Sequence, residues 1–410
     1  MSDGVVSVSG ATREQLNRAE NHSAHNYSPL PVVIESGSGC WVKDVDGVDY
    51  LDVLAGYSAL NFGHAHPALV QVAREQLGRL TLTSRAFQHD RFAQFCEDLS
   101  RLCRKEAVLP MNTGAEAVET ALKLARKWGY DVKGVPPGRA EVITCSGNFH
   151  GRTISIVGFS SDPDAYTGFG PYPAGFVTVE YGNVKAFESA ITDHTVAVLL
   201  EPIQGEAGVL VPPAGYLAAV REMCTRRGVL MIADEIQSGL GRTGDTFACD
   251  HEEVTPDIYV LGKALGGGLV PVSAVVADWE AMHVIGPGQH GSTFGGNPLA
   301  CAVGSAVVAL LETGEYQERS RRLGAYLHGM LRELPARYVA EVRGRGLWAG
   351  VQLAEGMPSA REICERLLAR RVLAKDAHEG TIRIAPPLVV ERDELTWAVE
   401  QLADALAEEF

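Results

Sequence analysis

Two short apolar runs in this chain each end on a charge: Val229–Asp234 closes on a carboxylate and Ile258–Lys263 on an amine. Runs of this length, rich in Val, Ile and Leu and without polar alternation, suit strands covered on both faces of a parallel sheet. Both charges then leave the sheet at strand carboxyl ends, where open α/β sheets bind their ligands. A buried amine and a buried carboxylate are each costly unless paired. The glycines around the lysine, Gly262 and Gly266 to Gly268, offer backbone room rather than a cage of partners. A ligand that needs both groups is the economical explanation.

Pyridoxal 5'-phosphate (PLP) has that chemistry: its aldehyde condenses with a lysine amine, and an acid beside its ring nitrogen keeps the ring protonated. The rest of the chain is compatible with an enzyme of this kind. Its 410 residues, 46% hydrophobic and 21% charged, allow two or three domains and a large core. With 36 basic against 51 acidic residues the net charge is −15, which speaks against a nucleic-acid surface. Eight cysteines without C-x-x-C spacing fit reduced thiols, most of them small core residues, better than a disulfide or zinc framework, and no metal is expected. The amino terminus lacks a charged segment followed by an apolar one, and no apolar run is long enough for a membrane helix. The expectation is a cytoplasmic protein with no membrane partner.

Seven apolar runs lie between residues 107 and 277: Ala107–Met111, Glu141–Cys145, Thr153–Phe159, Val196–Leu200, Val229–Ala233, Ile258–Leu261 and Val272–Val276. Helical patterns separate several of them, at 115–130 and 216–226, which predicts an α/β large domain built on a mainly parallel, doubly wound seven-stranded sheet. Beyond Pro298 the texture changes to long helical stretches at 299–313, 316–335, 358–371 and 392–408, broken by strand-like segments at 341–351 and 381–385. This predicts a smaller α+β domain over 301–410. Residues 61–300 form the expected large domain. Residues 1–60 carry a hairpin signal at Asp46-Gly47 and are expected to pack with the small domain.

Further constellations punctuate the strand ends. Asn112-Thr113-Gly114-Ala115-Glu116 stands between a strand and a helix, where backbone N–H groups and the helix dipole suit a phosphate, or where Thr113 is simply a helix cap. Gly291 to Pro298, with Ser292 and Thr293, is either a second phosphate cradle or a structured turn. Phe149 could stack on a planar ring, and Arg152 could hold a carboxylate in bidentate fashion. Glu201 and Glu206 follow another apolar run. Arg383, inside the apolar segment at 381–385, is a ligand site or half of a structural ion pair.

The order of these parts resembles that of class III PLP-dependent aminotransferases. The likeness also covers Leu109–Ala121, Gly168–Pro171, Pro256–Ile258 and His290–Pro298, and it runs from about residue 22 to 408. With His25-Asn26-Tyr27, Tyr57-Ser58-Ala59 and Leu82–Phe87, it is nearest to the branch acting on ornithine. The resemblance implies a PLP-dependent transferase of fold type I, working as a homodimer or a dimer of dimers. It assigns Lys263 to the bond with the cofactor aldehyde, Asp234 to the ring nitrogen, Gln237 to the ring hydroxyl and Phe149 to the ring face. Gly114 and Ala115, with Ser292 and Thr293 of the partner subunit, would take the phosphate; Ala115 stands where ornithine-acting members often carry valine. Tyr27 and Arg152 would hold the α-amino and α-carboxylate ends of L-ornithine, with Tyr57 a further substrate-binding residue that matches the ornithine pattern. Glu206 would mask Arg383 until 2-oxoglutarate enters. Acetylornithine and 4-aminobutyrate aminotransferases share the cofactor residues, and a racemase or a non-catalytic relative would share the fold.

Overall fold

The computed structural model describes residues 9–408. Residues 1–8, the head of the amino-terminal segment, and residues 409–410 lie outside the described residues. Strands are numbered in chain order. The first three, β1 (Ile34–Ser38), β2 (Trp41–Asp44) and β3 (Asp49–Asp52), form an antiparallel meander. The turn expected at Asp46-Gly47 joins β2 to β3: Gly47 takes φ +81°, and the Asp44 carboxylate accepts the amides of Asp46 and Val48 at 2.9 and 2.8 Å.

Seven strands form the central sheet: β4 (Ala107–Met111), β5 (Glu141–Cys145), β6 (Phe176–Val179), β7 (Thr195–Leu200), β8 (Leu230–Asp234), β9 (Ile258–Leu261) and β10 (Ser273–Ala277). Their spatial order is β4-β10-β9-β8-β7-β5-β6, and β10 alone runs against its neighbours. Every residue of β7, β8 and β9 is buried, as their unbroken apolar runs require of strands covered on both faces. The helix Gly114–Asp131 returns the chain from β4 to β5. A capping box between Thr113 and Glu116 starts it, and its buried face includes Val118, Leu122, Ala125 and Trp128. The helix Tyr216–Arg227 similarly connects β7 to β8 and stops at Gly228, which takes φ +57°.

Two expectations are corrected. The run Thr153–Phe159 is not a strand: Ile154–Val157 form a short helix, and the seventh strand is β6. Ile156 and Phe159 are buried in the same core as β5, Phe159 packing on Phe176 of β6 with ring centroids 4.5 Å apart, so a run of this apolarity met its need for burial without joining the sheet. The strand-like stretch 341–351 is a hairpin of two strands, β11 (Val339–Gly344) and β12 (Ala349–Leu353), because Gly344 and Gly346 take positive φ and turn the chain between them.

The carboxyl-terminal region completes a second sheet in the order β11-β12-β15-β14, with β14 at Lys375–Ala377 and β15 at Thr381–Ile384. Helices Glu315–Arg332, Ala360–Ala369 and Arg392–Ala407 supply buried leucines to its core. The two-residue β13 (Val372–Leu373) instead pairs in parallel with β3, so opposite ends of the chain share one sheet. Seven of the eight cysteines are buried and all are free. Among the described residues no single helix is long and apolar enough to cross a membrane.

A single side chain ties these parts together. Arg242, fully buried, donates to Asn61 Oδ1 at 2.5 and 3.2 Å and to the carbonyls of Leu347 and Pro386 at 2.8 and 2.6 Å. Burial pushes its pKa down to about 9. Replacing it by methionine keeps the volume but strips donors from three buried acceptors. Arg242→Met is therefore expected to cost about 1–3 kcal/mol of unfolding free energy, read as a lower urea midpoint of the cofactor-free protein; an unchanged midpoint would show that the clamp is dispensable.

Candidate active site

Strands β5, β7, β8 and β9 run in one direction, so their carboxyl ends share a rim, and each delivers functional side chains there. After β5 the chain turns at Gly147, and Asn148 pins the turn by donating to the carbonyls of Cys145 and Phe159 at 2.5 and 3.1 Å. This presents Phe149 and His150. The Phe149 amide donates to Glu201 Oε2, just past β7, at 3.0 Å. His150 Nδ1 meets Oδ2 of Asp234, the last residue of β8, at 2.7 Å, and Asp234 Oδ1 accepts the Ile236 amide at 3.1 Å. Lys263 follows β9 with φ +44°, a left-handed conformation that costs a side-chain-bearing residue energy and marks a position held by its surroundings.

The charges are mutually adjusted. Burial lowers the Lys263 amine below the ordinary lysine range, with Arg383 pushing the same way against Glu206, Asp234 and Glu201. Burial raises the Glu201 carboxyl to about 7, with Asp234 adding to the effect and His150 opposing it. Burial by itself works against charge on His150, yet its hydrogen bond to Asp234 and the charges of Asp234 and Glu201 outweigh that and raise its pKa. An amine whose charged form is disfavoured by burial therefore lines one cavity with a carboxylate that is fixed by a buried imidazole.

A cavity of about 190 Å³ is walled by Gly114, Ala115, Phe149, Asp234, Gln237 and Lys263. A second, of about 390 Å³, shares Phe149, His150 and Gly151 with it and is lined by Glu206. Arg383, only 2% exposed, donates to both carboxylate oxygens of Glu206 at 2.6 and 3.2 Å and lies 5.0 Å from the centre of the Tyr57 ring. Burial works to raise the Glu206 carboxyl, but Arg383, Lys263 and Gln237 together hold it below its usual value. Tyr57 belongs to a left-handed turn in which Ala55, Gly56, Tyr57 and Ser58 all have φ between 50 and 69°. Only the glycine adopts that region freely. The turn is held by Asp52, whose carboxylate accepts the amides of Leu54 and Ala55 at 2.8 and 2.9 Å, and by Gln237 donating to the Tyr57 carbonyl at 3.3 Å.

The remaining candidates lie further out. Arg152 is exposed with its guanidinium 5.5 Å from the centre of the Phe149 ring, and Tyr27 is 79% exposed. Ser292 and Thr293 line a separate cavity of about 670 Å³ together with Ser84 and Arg85, so within one chain they do not meet Lys263. Sequence reasoning gave no role to His150 or Glu201, although both were visible beside residues that drew attention. Their importance is a matter of contact with Asp234 and Phe149, which no spacing reveals.

Residues 22–406 match the family model described as aminotransferase class-III. The chain is a class III aminotransferase. An ornithine aminotransferase from an Exiguobacterium species is 52% identical to it over 396 residues, covering 97% of this chain and 98% of the relative. The crystal structure of the Toxoplasma gondii ornithine aminotransferase superposes with a TM-score of 0.95 at 41% identity, over 98% of this chain and 96% of that one. An acetylornithine aminotransferase from Elizabethkingia anophelis reaches 0.87 at 42% identity, over 96% and 98%.

Class III aminotransferases depend on PLP, and the cavity of this one fits that cofactor. It offers an amine whose pKa burial lowers, a carboxylate fixed by His150, an aromatic face and the amino-terminal turn of the helix Gly114–Asp131. The backbone there is close-packed: a Cβ on Gly114 would lie 2.9 Å from Ile236 Cδ1, and one on Gly151 2.8 Å from Ala115 Cβ. Because His150 holds Asp234, His150→Leu is expected to weaken PLP binding about tenfold while His150→Asn, which keeps a donor, loses less. Equilibrium dialysis of PLP against the three proteins checks this, and equal affinities would remove the role.

Proposed function

We propose that this class III aminotransferase transfers the δ-amino group of L-ornithine to 2-oxoglutarate, giving glutamate 5-semialdehyde, which cyclises to pyrroline-5-carboxylate, and glutamate. The observation that carries the reading is the bidentate Arg383–Glu206 pair beside Lys263. A buried arginine held by a removable carboxylate suits a site that must accept a diamine in one half-reaction and a dicarboxylate in the other. Relatives named ornithine aminotransferase across nearly the whole chain support the same substrate.

PLP, when bound, supplies an aldehyde that takes up the amine and a protonated ring that withdraws electrons. The chain's own residues do the rest. Lys263 Nζ, its pKa lowered by burial, takes the proton from the carbon that bears the reacting amine. Asp234 would pair with the ring nitrogen, and His150 keeps Asp234 in place. Phe149 would stack on the ring, Gln237 would contact its hydroxyl, and Gly114 and Ala115 would receive the phosphate with Ser292 and Thr293 of the partner subunit. Tyr27, Tyr57 and Arg152 hold the α-amino and α-carboxylate groups of ornithine so that the δ-amine points inward. Glu206 neutralises Arg383 meanwhile. When 2-oxoglutarate enters, Glu206 leaves Arg383 free for the α-carboxylate, and Arg152 takes the distal one.

The partner subunit is a second copy of the chain, as a homodimer or a dimer of dimers. The exposed side chains of Phe87 and Phe294, at 73% and 56%, flank the Ser84-Arg85 and Ser292-Thr293 segments and support an apolar contact there. The same reading divides the chain into a large PLP-binding domain over 61–300 and a small domain over 301–410 joined by residues 1–60.

Lys263→Ala is expected to abolish turnover and the visible absorption of the bound cofactor; a variant keeping both sinks the assignment. Glu206→Ala is expected to raise the rate with glutamate relative to ornithine, and an unchanged ratio removes the masking role. Mixing the loaded enzyme with ornithine, acetylornithine and 4-aminobutyrate in separate single turnovers decides the substrate, with fastest loss of visible absorption expected for ornithine.

A further inference from the structure

The helix whose first turn lines the cofactor cavity carries a second polar surface along its side. Glu116, Thr120 and Lys123 recur at i, i+4 and i+7, so they share one stripe, and that stripe meets the loop from Gln289 to Ser292. The hydrogen bonds there fix one protonation state. Thr120 Oγ1 donates to the Glu116 carbonyl at 2.7 Å, so toward His290 Nε2, 2.8 Å away, it can only accept. Nε2 therefore carries the hydrogen and Nδ1 a lone pair. Lys123 Nζ donates to that lone pair at 2.9 Å and to the Gln289 carbonyl at 3.3 Å. Burial and the neighbouring Lys123 charge both act to keep the imidazole neutral, as this arrangement demands.

Two residues further on the loop is fastened again. Ser292 Oγ accepts from Asn112 Nδ2 at 2.8 Å and from the Gly295 amide at 3.1 Å, and Asn112 is itself oriented by Glu116, which takes its amide at 2.9 Å and its Nδ2 at 3.3 Å. An oxygen that accepts twice has its own hydrogen left to donate. Thr293 beside it is exposed.

We propose that the Thr120–His290–Lys123 latch is a positioning device that sets Ser292 and Thr293 as donors for the phosphate of a PLP held by the partner subunit. The proposal rests on the reading above in which this loop serves the partner. It also gives the two cofactor sites of a dimer a mechanical connection. The first turn of the helix lines the cavity of its own chain, and the side of the same helix holds the loop that reaches the other. His290 touches neither substrate nor cofactor in this arrangement; it acts through the loop it anchors.

The test compares PLP with pyridoxal, which lacks the phosphate, as ligands of the stripped full-length protein measured by equilibrium dialysis. Thr293→Val and His290→Leu are both expected to weaken PLP roughly tenfold and to leave pyridoxal unchanged. His290→Gln, whose amide can donate to Thr120 and accept from Lys123, is expected to retain PLP. Lys123→Met, at an exposed position, reads the same latch if the leucine variant does not fold. Equal losses for PLP and pyridoxal in His290→Leu, or no loss in it or in Lys123→Met, overturn the latch while Thr293→Val still responds. An unchanged PLP affinity in Thr293→Val instead overturns the phosphate reading of the loop, and the latch with it.

Discussion

The site exists because one buried guanidinium holds three stretches of chain against each other. Arg242 cannot be stripped of water without partners, and its partners are a side chain at residue 61 and two carbonyls at 347 and 386. Satisfying that charge brings the loop after β8, the segment before the Gly63 turn and the carboxyl-terminal region to one place. Asp234 and Gln237 lie on the first of these, the Tyr57 turn precedes the second, and Arg383 enters with the third. Distant candidates become neighbours through the desolvation cost of a charge that is not itself part of the chemistry.

Within the site the same rule operates twice more. Asp234 is kept in place by His150, and Glu206 by Arg383, and the two pairs differ in how deeply their members are buried. The His150 side chain is wholly buried, which suits a partner that never leaves. The Glu206 side chain is 25% exposed while Arg383 is 2% exposed, so the acid has somewhere to go and the base does not. That asymmetry is what the proposed exchange of a diamine for a dicarboxylate would draw on.

Much of the fold was legible because strands buried on both faces and crossover helices leave distinct patterns. Six of the seven apolar runs coincide with strands of the central sheet. Thr153–Phe159 failed because a short apolar run records only that a segment is buried, and here helix and loop met that demand. The stretch 341–351 failed because two glycines that turn a hairpin looked like ordinary gaps in one strand. For the site, the residues that close apolar runs were visible, Glu201 among them, whereas the roles of His150 and Glu201 come from contacts made across the sheet.

By itself the sequence determined the charged ends of β8 and β9, the buried sheet that places them on one rim and the small-residue turn that starts the helix at Gly114. These follow from local periodicity, since each element must bury its apolar residues whatever surrounds it. Tertiary structure alone decided that His150 fastens Asp234, that Tyr57 sits in a left-handed turn, and that His290 joins the loop of Ser292 to the helix of Thr120. Each is a pairing between side chains or backbone far apart in the chain. Electrostatics and hydrogen bonding select such partners only once the fold has brought them within reach.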